Sequence, residues 1–381
     1  MKYFKRLLLF LSNQRIKILL DRKLRLLIKA NQGSGEEGPE ISRELKRSHY
    51  LLWKDYSPRI NYGWLKLYTR VSGIADHRYI PESIYYTDIE PRLNNKLFSK
   101  AWTDKNNLSV VIGDWIKTAD VVLRCMDGIL YSAEMKCLGS VLITQSLQDQ
   151  LEGSRLIIKP TLDSGGGKAV RVFTVTKDGL AVHPPLKGAE TLHELMKSYD
   201  GNFIIQKYID QHPFFARFNG SSINTIRVLT YRSLRNEEIV ILHKLLRIGR
   251  PGSVVDNQAS GGLACSIDKE GRLMPYGIDK KGAKYSGTES LEFGSIGIVP
   301  FILEIEQAAH EVARSFRYSR LLGLDFAVNS KGEVILIEVN DTNNEINFFQ
   351  LTSGPLFGEY TDEVASLCRH RPRSFIIDYI I

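Results

Sequence analysis

The spacing of hydrophobic positions changes character along the chain. Residues 3 to 30, YFKRLLLFLSNQRIKILLDRKLRLLIKA, contain neither Pro nor Gly, and Leu8, Leu11, Ile16, Leu19, Leu20, Leu24 and Leu27 recur at roughly helical spacing between Lys and Arg. The pattern predicts a basic amphipathic helix over 1–30. Such a helix can pack its apolar stripe on the folded body or lie on an anionic membrane leaflet, and the pattern leaves both open. NQGSGEEGPE (31–40) then carries a GxGxxG string at Gly33, Gly35 and Gly38, but a charged helix precedes it and Pro39 follows. A dinucleotide fingerprint needs a strand before it and a helix opening at its third glycine, so the segment reads as a linker. Residues 31–57 are expected to be linker and helix. Residues 58–135, with Pro- and Tyr-rich connections and no repeat, read as an α-rich preliminary domain.

From about Leu151 the texture becomes short β-type runs punctuated by glycine: RLIIKP, AVRVFTV, NFIIQKYI, NTIRVLTYR, EIVILHKLLRIG, GGLACSID, LGLDFAV and EVILIEVN. A long helical stretch that begins with Pro, PFILEIEQAAHEVARSF, lies before the last two strands. Hairpin-like pairs with crossing helices predict an α+β core with a largely antiparallel sheet. The main domain is expected over 136–350, with parts at about 152–208 and 216–350, and a C-terminal helix and tail over 351–381.

Charge sharpens the picture of the first helix. Residues 1–30 hold nine Lys or Arg and one acid, Asp21; removing these from the chain's 51 basic and 43 acidic residues leaves 42 of each. The net charge of +8 is therefore local, and a nucleic-acid enzyme, which spreads cations along its groove, is not expected. The four cysteines, Cys125, Cys137, Cys265 and Cys368, show no CxxC pair and no zinc-ligand spacing. A reducing, cytoplasmic setting follows as the expectation. No apolar run approaches the ~18 residues of a membrane span, and the first thirty residues lack the core and cleavage site of a signal peptide.

Three places concentrate candidate chemistry. GLDFAVNSKGEVILIEVN parses as two strands joined at Asn329-Ser330-Lys331-Gly332; alternation gives Glu338 and Asn340 one face, and the hairpin can bring Asp325 opposite them. Two carboxylates and an amide suit Mg²⁺ shared with a nucleotide, and a carboxylate ending the apolar run ILIE is expensive to leave unpaired. In RLIIKPTLDSGGGKAVRVF, a strand ends at Lys159-Pro160 and a loop holds Ser164, Gly165, Gly166, Gly167 and Lys168. Consecutive glycines let backbone N–H groups approach a phosphate chain, and the lysines add charge. The loop does not match a Walker A pattern, which requires Gly at Leu162 and Ser or Thr at Ala169. Finally, Arg227 sits inside the apolar strand NTIRVLTYR and must be paired, with a phosphate or with a core acid. His243, Lys244, Arg247, Asp256, Asn257, Gly261 and Gly262 lie beyond it, as candidates to hold a second substrate or the γ-phosphate, though spacing alone says little.

These residues resemble the ATP-grasp superfamily, and specifically its sugar-transfer-associated group, through TDKNNL, LIIKPTLDSGGGKAVRVF, IIQKYIDQHP, SSINTIRVLTYR, LRIG, VDNQASGG and LGLDFAVNSKGEVILIEVN, from roughly Tyr79 to Asp362. The resemblance implies two α+β subdomains clamping ATP behind an α-rich N-terminal region. It places Lys159 on the α-phosphate side, the Gly165–Lys168 loop over the β- and γ-phosphates, and Lys105 as the family's earlier nucleotide-binding lysine. Gln206, Lys207, Tyr208 and Ile209 become the adenine-facing hinge, through backbone groups of Lys207 and Ile209, and Asp210 a ribose contact. Gln206 departs from the acidic residue usual in that hinge. Arg227, Lys168 and Asn257 are the candidates for acting on the transferred phosphoryl group, and Asp325, Glu338 and Asn340 for holding two Mg²⁺. The implied chemistry is a carboxylate–amine ligase using an acylphosphate, in surface-polysaccharide or cell-envelope synthesis, with a glycan or small-molecule acid and amine as substrates. A phosphotransferase and a non-catalytic ATP-binding scaffold are the alternatives. The expected location is the cytoplasm, with peripheral contact on the inner face of the plasma membrane through residues 3–30.

Overall fold

The computed structural model describes residues 2–31, 39–139, 144–162, 169–253 and 261–374. The GxGxxG string of the linker, the loop residues Ser164, Gly165, Gly166, Gly167 and Lys168, and Asn257 lie outside the described residues.

The chain begins with three helices, α1 (Lys2–Asn31), α2 (Arg43–Trp53) and α3 (Gly63–Ser72). The Ser42 side chain caps α2 by accepting from the Leu45 N–H, and α3 stops at Gly73, whose φ of 76° suits a residue without Cβ. Short turns follow, one of them π-helical at Tyr85–Ile89.

The α-rich expectation for 58–135 fails at its end. Val121–Met126 (β1) and Ile129–Tyr131 (β2) form a hairpin around Asp127 and Gly128, both at positive φ, and Met126 pairs with Ile129. The legible sign was an Asp-Gly pair between apolar runs. These strands join Cys137–Gly139 (β3), Arg155–Pro160 (β4), Arg171–Thr176 (β5), Gly179–His183 (β6) and Phe203–Lys207 (β7) in a seven-stranded antiparallel sheet of order β3-β2-β1-β7-β4-β5-β6.

A second seven-stranded antiparallel sheet contains Thr225–Arg232 (β8), Ile239–Ile248 (β9), Leu263–Ile267 (β10), Leu273–Ile278 (β11) and Lys284–Tyr285 (β12). After a small hairpin of Gly287–Thr288 (β13) and Leu291–Glu292 (β14), the chain adds Leu321–Val328 (β15) and Val334–Asn340 (β16), completing the order β12-β11-β10-β9-β8-β15-β16. The α+β class and antiparallel pairing expected from the pattern are observed.

The second sheet is covered on both faces, which explains why every residue of β15 is buried. On one face Val228, Leu246, Leu324 and Phe326 meet Ile305, Ala309 and Val312 of the helix Ile302–Ser315. On the other, Leu229, Tyr231, Leu245 and Leu321 meet the N-terminal helical region through Trp64, Tyr68 and Tyr85. Strand alternation assigns Arg227, Arg247 and Asp325 to this second face, so the same surface is apolar at one end and charged at the other.

Candidate active site

A single irregularity in β16 builds the charged end. Asp325 pairs with Glu338 and Phe326 with Leu336, so Ile337 is an extra residue, a β-bulge. Leu336 packs in the core beneath the helix Ile302–Ser315. In a regular strand Glu338 would share that face; the bulge turns it to the opposite one, where Asp325 lies. Asn340, two residues on, pairs with Gly323 and has a buried Nδ2 without a hydrogen-bond partner.

Across the next ladder Asp325 pairs with Arg227. The guanidinium donates from Nε to Oδ1 at 2.7 Å and from Nη2 to Oδ2 at 2.6 Å, the bidentate geometry that arginine favours. Arg247, a candidate for the second substrate or the γ-phosphate, donates from Nη1 to Oδ2 at 2.9 Å. Its signal was the one that marked Arg227, a guanidinium within an apolar strand. Arg227 is thus paired with a core acid, one of the two partners open to it from the sequence. Burial alone would raise the Asp325 carboxyl, but the charges of Arg227 and Arg247 outweigh it and hold the group below the usual carboxylate range. Arg227 is raised in turn, because the attraction of Asp325 exceeds the cost of burial.

The other side of the site comes from the first sheet and its approach. Lys105 donates to Oε1 of Glu338 at 2.8 Å and to the Thr161 carbonyl at 3.4 Å, linking the end of β4 to β16. Burial again opposes ionisation of Glu338, and Lys105 more than compensates, so this carboxyl too sits low. Lys159, on β4, is 7% exposed and lies near both groups. Burial, with the Lys105 charge added and Glu338 opposing, lowers its ammonium to about 8.

Gln206 on β7 donates from Nε2 to the Ala119 carbonyl at 3.2 Å, which fixes the amide orientation and leaves its buried Oε1 without a partner. A small cavity between the sheets is lined in part by Lys105, Val121, Gln206, Leu336 and Ile337. The backbone of the expected hinge is largely committed to the fold: Lys207 N–H donates to Asp120, Tyr208 N–H to Arg155, and the Asp210 carbonyl accepts from Ser330. The Lys207 N–H is therefore taken up within the fold. Its side chain faces Asp120 at 3.6 Å, and Tyr208 stacks under Arg155 with 3.8 Å to the ring centroid.

The structure thus brings Lys105, Lys159, Gln206, Arg227, Asp325, Glu338 and Asn340 to one cleft between the sheets. His243 serves the fold instead, with its ring nitrogen on the Leu356 carbonyl at 2.9 Å, and burial lowers it to about 4. Lys244 pairs with Glu306. Arg124, overlooked in the sequence, lines the small cavity and donates to the Asn106 and Ala133 carbonyls.

The donor set fits a hard divalent cation: two ionised carboxylates in register, an adjacent amide with an orphaned buried atom, and no sulfur or imidazole. Among the described residues no group of three His, Cys, Asp or Glu side chains is placed to hold a metal ion by itself.

Residues 87–364 match the family model described as sugar-transfer associated ATP-grasp. No curated protein matches the sequence. Solved structures with similarity include D-cycloserine synthetase DcsG (12% identity over 69% of this chain and 70% of that one, TM-score 0.39) and the biotin carboxylase domain of the Hydrogenobacter thermophilus 2-oxoglutarate carboxylase (14%, 71% and 47%, 0.39). N5-carboxyaminoimidazole synthetase from Staphylococcus aureus complexed with ADP is another (11%, 74% and 53%, 0.37). The chain spans about half the length of the latter two.

Proposed function

The chain belongs to the sugar-transfer-associated ATP-grasp family, and from that premise we propose that it is an ATP-dependent carboxylate–amine ligase acting in surface-polysaccharide or cell-envelope synthesis, joining an amino acid or another amine to a sugar acid. The observation that carries the reading is the registered Asp325–Glu338 pair facing Lys105 and Lys159 across the cleft. Four cations (Lys105, Lys159, Arg227, Arg247) against two carboxylates leave a surplus of two positive charges, suited to a polyphosphate.

In this reading Lys159 and Lys105 bind the α- and β-phosphates, and the orphaned Oε1 of Gln206 accepts from the adenine amino group. Asp325, Glu338 and Asn340 would hold Mg²⁺, which supplies charge neutralisation between the phosphates. A substrate carboxylate oxygen attacks the γ-phosphorus, its bond to the β-phosphate oxygen breaks, and ADP leaves. Arg227 and Arg247, pre-positioned in the cleft, neutralise charge on the transferring phosphoryl group. The amine nitrogen then attacks the acyl carbon, inorganic phosphate departs with the C–O electron pair, and the amine proton goes to solvent.

The test is product analysis with a pooled library of sugar acids and amino acids in Mg·ATP. Equimolar ADP and phosphate that appear only when acid and amine are both present, together with an amide of matching mass, are expected. Glu338→Gln should lower the rate at least about a hundredfold. A phosphorylated alcohol without free phosphate would replace the proposal by a phosphotransferase; ATP binding without turnover by any pool would replace it by a nucleotide-sensing scaffold.

A further inference from the structure

The helix α1 has two apolar faces, and among the described residues the body of the protein packs on one of them. On its inner face Leu24 and Leu27 are buried in the core that contains Trp64 and Tyr68. Lys23 reaches Glu82 at 2.6 Å, Asp21 accepts from Asn61 at 2.9 Å, and Asn31 donates to the Lys281 carbonyl at 2.7 Å. The packed stripe foreseen as one use of the helix is thus present.

The outer face is apolar as well. Leu7, Leu11, Ile18, Leu19 and Leu26 are 53%, 52%, 53%, 52% and 69% exposed. At about 100° per residue they fall within an arc of roughly 120°, turned away from the arc of Leu20, Leu24 and Leu27. Arg15, Arg22, Arg25 and Lys29 fall in the same outer arc and are exposed. No acid interrupts it: Asp21, the one acid among the first thirty residues, lies on the flank outside this arc and accepts from Asn61.

We propose that this outer face of α1 docks the protein on an anionic lipid surface, with the leucines in the acyl boundary and the cations at the headgroups. Charge complementarity selects the occupant. Residues 1–30 hold the whole net charge of the chain, so a second copy would set cation against cation, and a nucleic acid would satisfy the arginines while leaving the leucine row in water. The helix lies along the surface: it is about 45 Å long by its 1.5 Å rise, and no described helix is long and apolar enough to cross a membrane. This inference stands on α1 alone, whether or not the ligase reading holds.

Flotation of the full chain with phosphatidylcholine vesicles, with and without about 30 mol% phosphatidylglycerol, tests it. Partitioning at least about tenfold stronger on the anionic vesicles is expected, falling about fivefold between roughly 0.1 and 0.5 M salt. The double variant Leu11→Glu/Ile18→Glu should lose about tenfold in binding at unchanged thermal unfolding, because both side chains face outward. Arg22→Ser/Arg25→Ser should lose binding to anionic vesicles and leave the weak neutral-vesicle signal alone. Equal recovery on both vesicle types would overturn the proposal, as would undiminished binding by both double variants, or a concentration-dependent dimer or an RNA complex in protein that ignores vesicles.

Discussion

The two sheets hold charge at their shared cleft in opposite ways. On the second sheet every charge is answered in advance: Asp325 receives two guanidiniums, with three hydrogen bonds between 2.6 and 2.9 Å. On the first, Lys159 is buried beside another cation, Lys105, and the acid that acts on it, Glu338, belongs to the other sheet. The same need, to receive a polyanion, is met once by a closed ionic cluster and once by a buried cation that makes no ion pair with a described residue. The closed cluster favours the fold before ligand arrives. The deprived lysine costs the fold and favours the ligand.

The largest effect should come from opening the cluster. Asp325→Ala leaves Arg227 and Arg247 facing each other in a site where their side chains are 11% and 8% exposed. Removing one partner of a buried ionic cluster costs about 3–5 kcal/mol, read as a lowered thermal unfolding midpoint. Sulfate should restore more stability to the variant than to the native chain, because the anion occupies the vacated place between the guanidiniums. Equal stabilisation of both proteins by sulfate would mean that the two arginines had reorganised toward other partners.

Lys159 should respond in the reverse sense and somewhat less strongly. Its ammonium is lowered from 10.5 to about 8, so between those values the unfolded chain binds the proton and the folded one does not. Stability therefore rises with pH across that window, and the penalty, on the order of 3 kcal/mol, is fully present below pH 8. Affinity for ATP should fall over the same interval, as the cation that meets the phosphates is lost. Titration calorimetry at pH 7, 8 and 9 checks the second trend and thermal unfolding the first. Lys159→Met should flatten both, gaining stability at pH 7 while binding ATP at least about tenfold more weakly. A variant that lost ATP affinity and stability together would show that Lys159 has a counter-ion in the fold.

Which parts of this contrast the sequence could announce follows from how local they are. The hairpin that sets Asp325 opposite Glu338 was legible, since an apolar run, a turn at Asn329–Gly332 and a second apolar run leave few other registers. The bulge at Ile337 was not, because one extra residue changes neither composition nor the look of ILIEVN, yet it decides which face Glu338 takes. Arg247 carried the same mark as Arg227, a charge within an apolar strand, and the partner of both, Asp325, is 78 and 98 positions away in the chain, beyond what local pattern can join. The hairpin β1–β2 was lost inside a stretch whose Tyr- and Pro-rich texture suggested helices, despite the Asp-Gly turn. For α1 the periodicity offered packing or lipid, and a wheel carrying leucines all round does not rank its faces; only the position of the body against Leu24 and Leu27 separates them.

The smallest effect, and the finest measure of the contrast, belongs to the bridge between the two sides. Lys105 and Glu338 meet at 2.8 Å, but the Glu338 side chain keeps 31% of its exposure, so water at the cleft mouth screens the pair. A double-mutant cycle with Lys105→Met and Glu338→Gln should give a coupling of about 1 kcal/mol or less. Salt separates the two kinds of pairing: the Lys105–Glu338 coupling should shrink when ionic strength is raised from roughly 0.1 to 0.5 M, whereas the buried Asp325–Arg227 coupling, with both side chains nearly covered, should hold. Equal salt sensitivity of the two couplings would mean that the cluster on Asp325 is as open to solvent as the bridge, and the division of the cleft into a closed side and a deprived side would not survive that result.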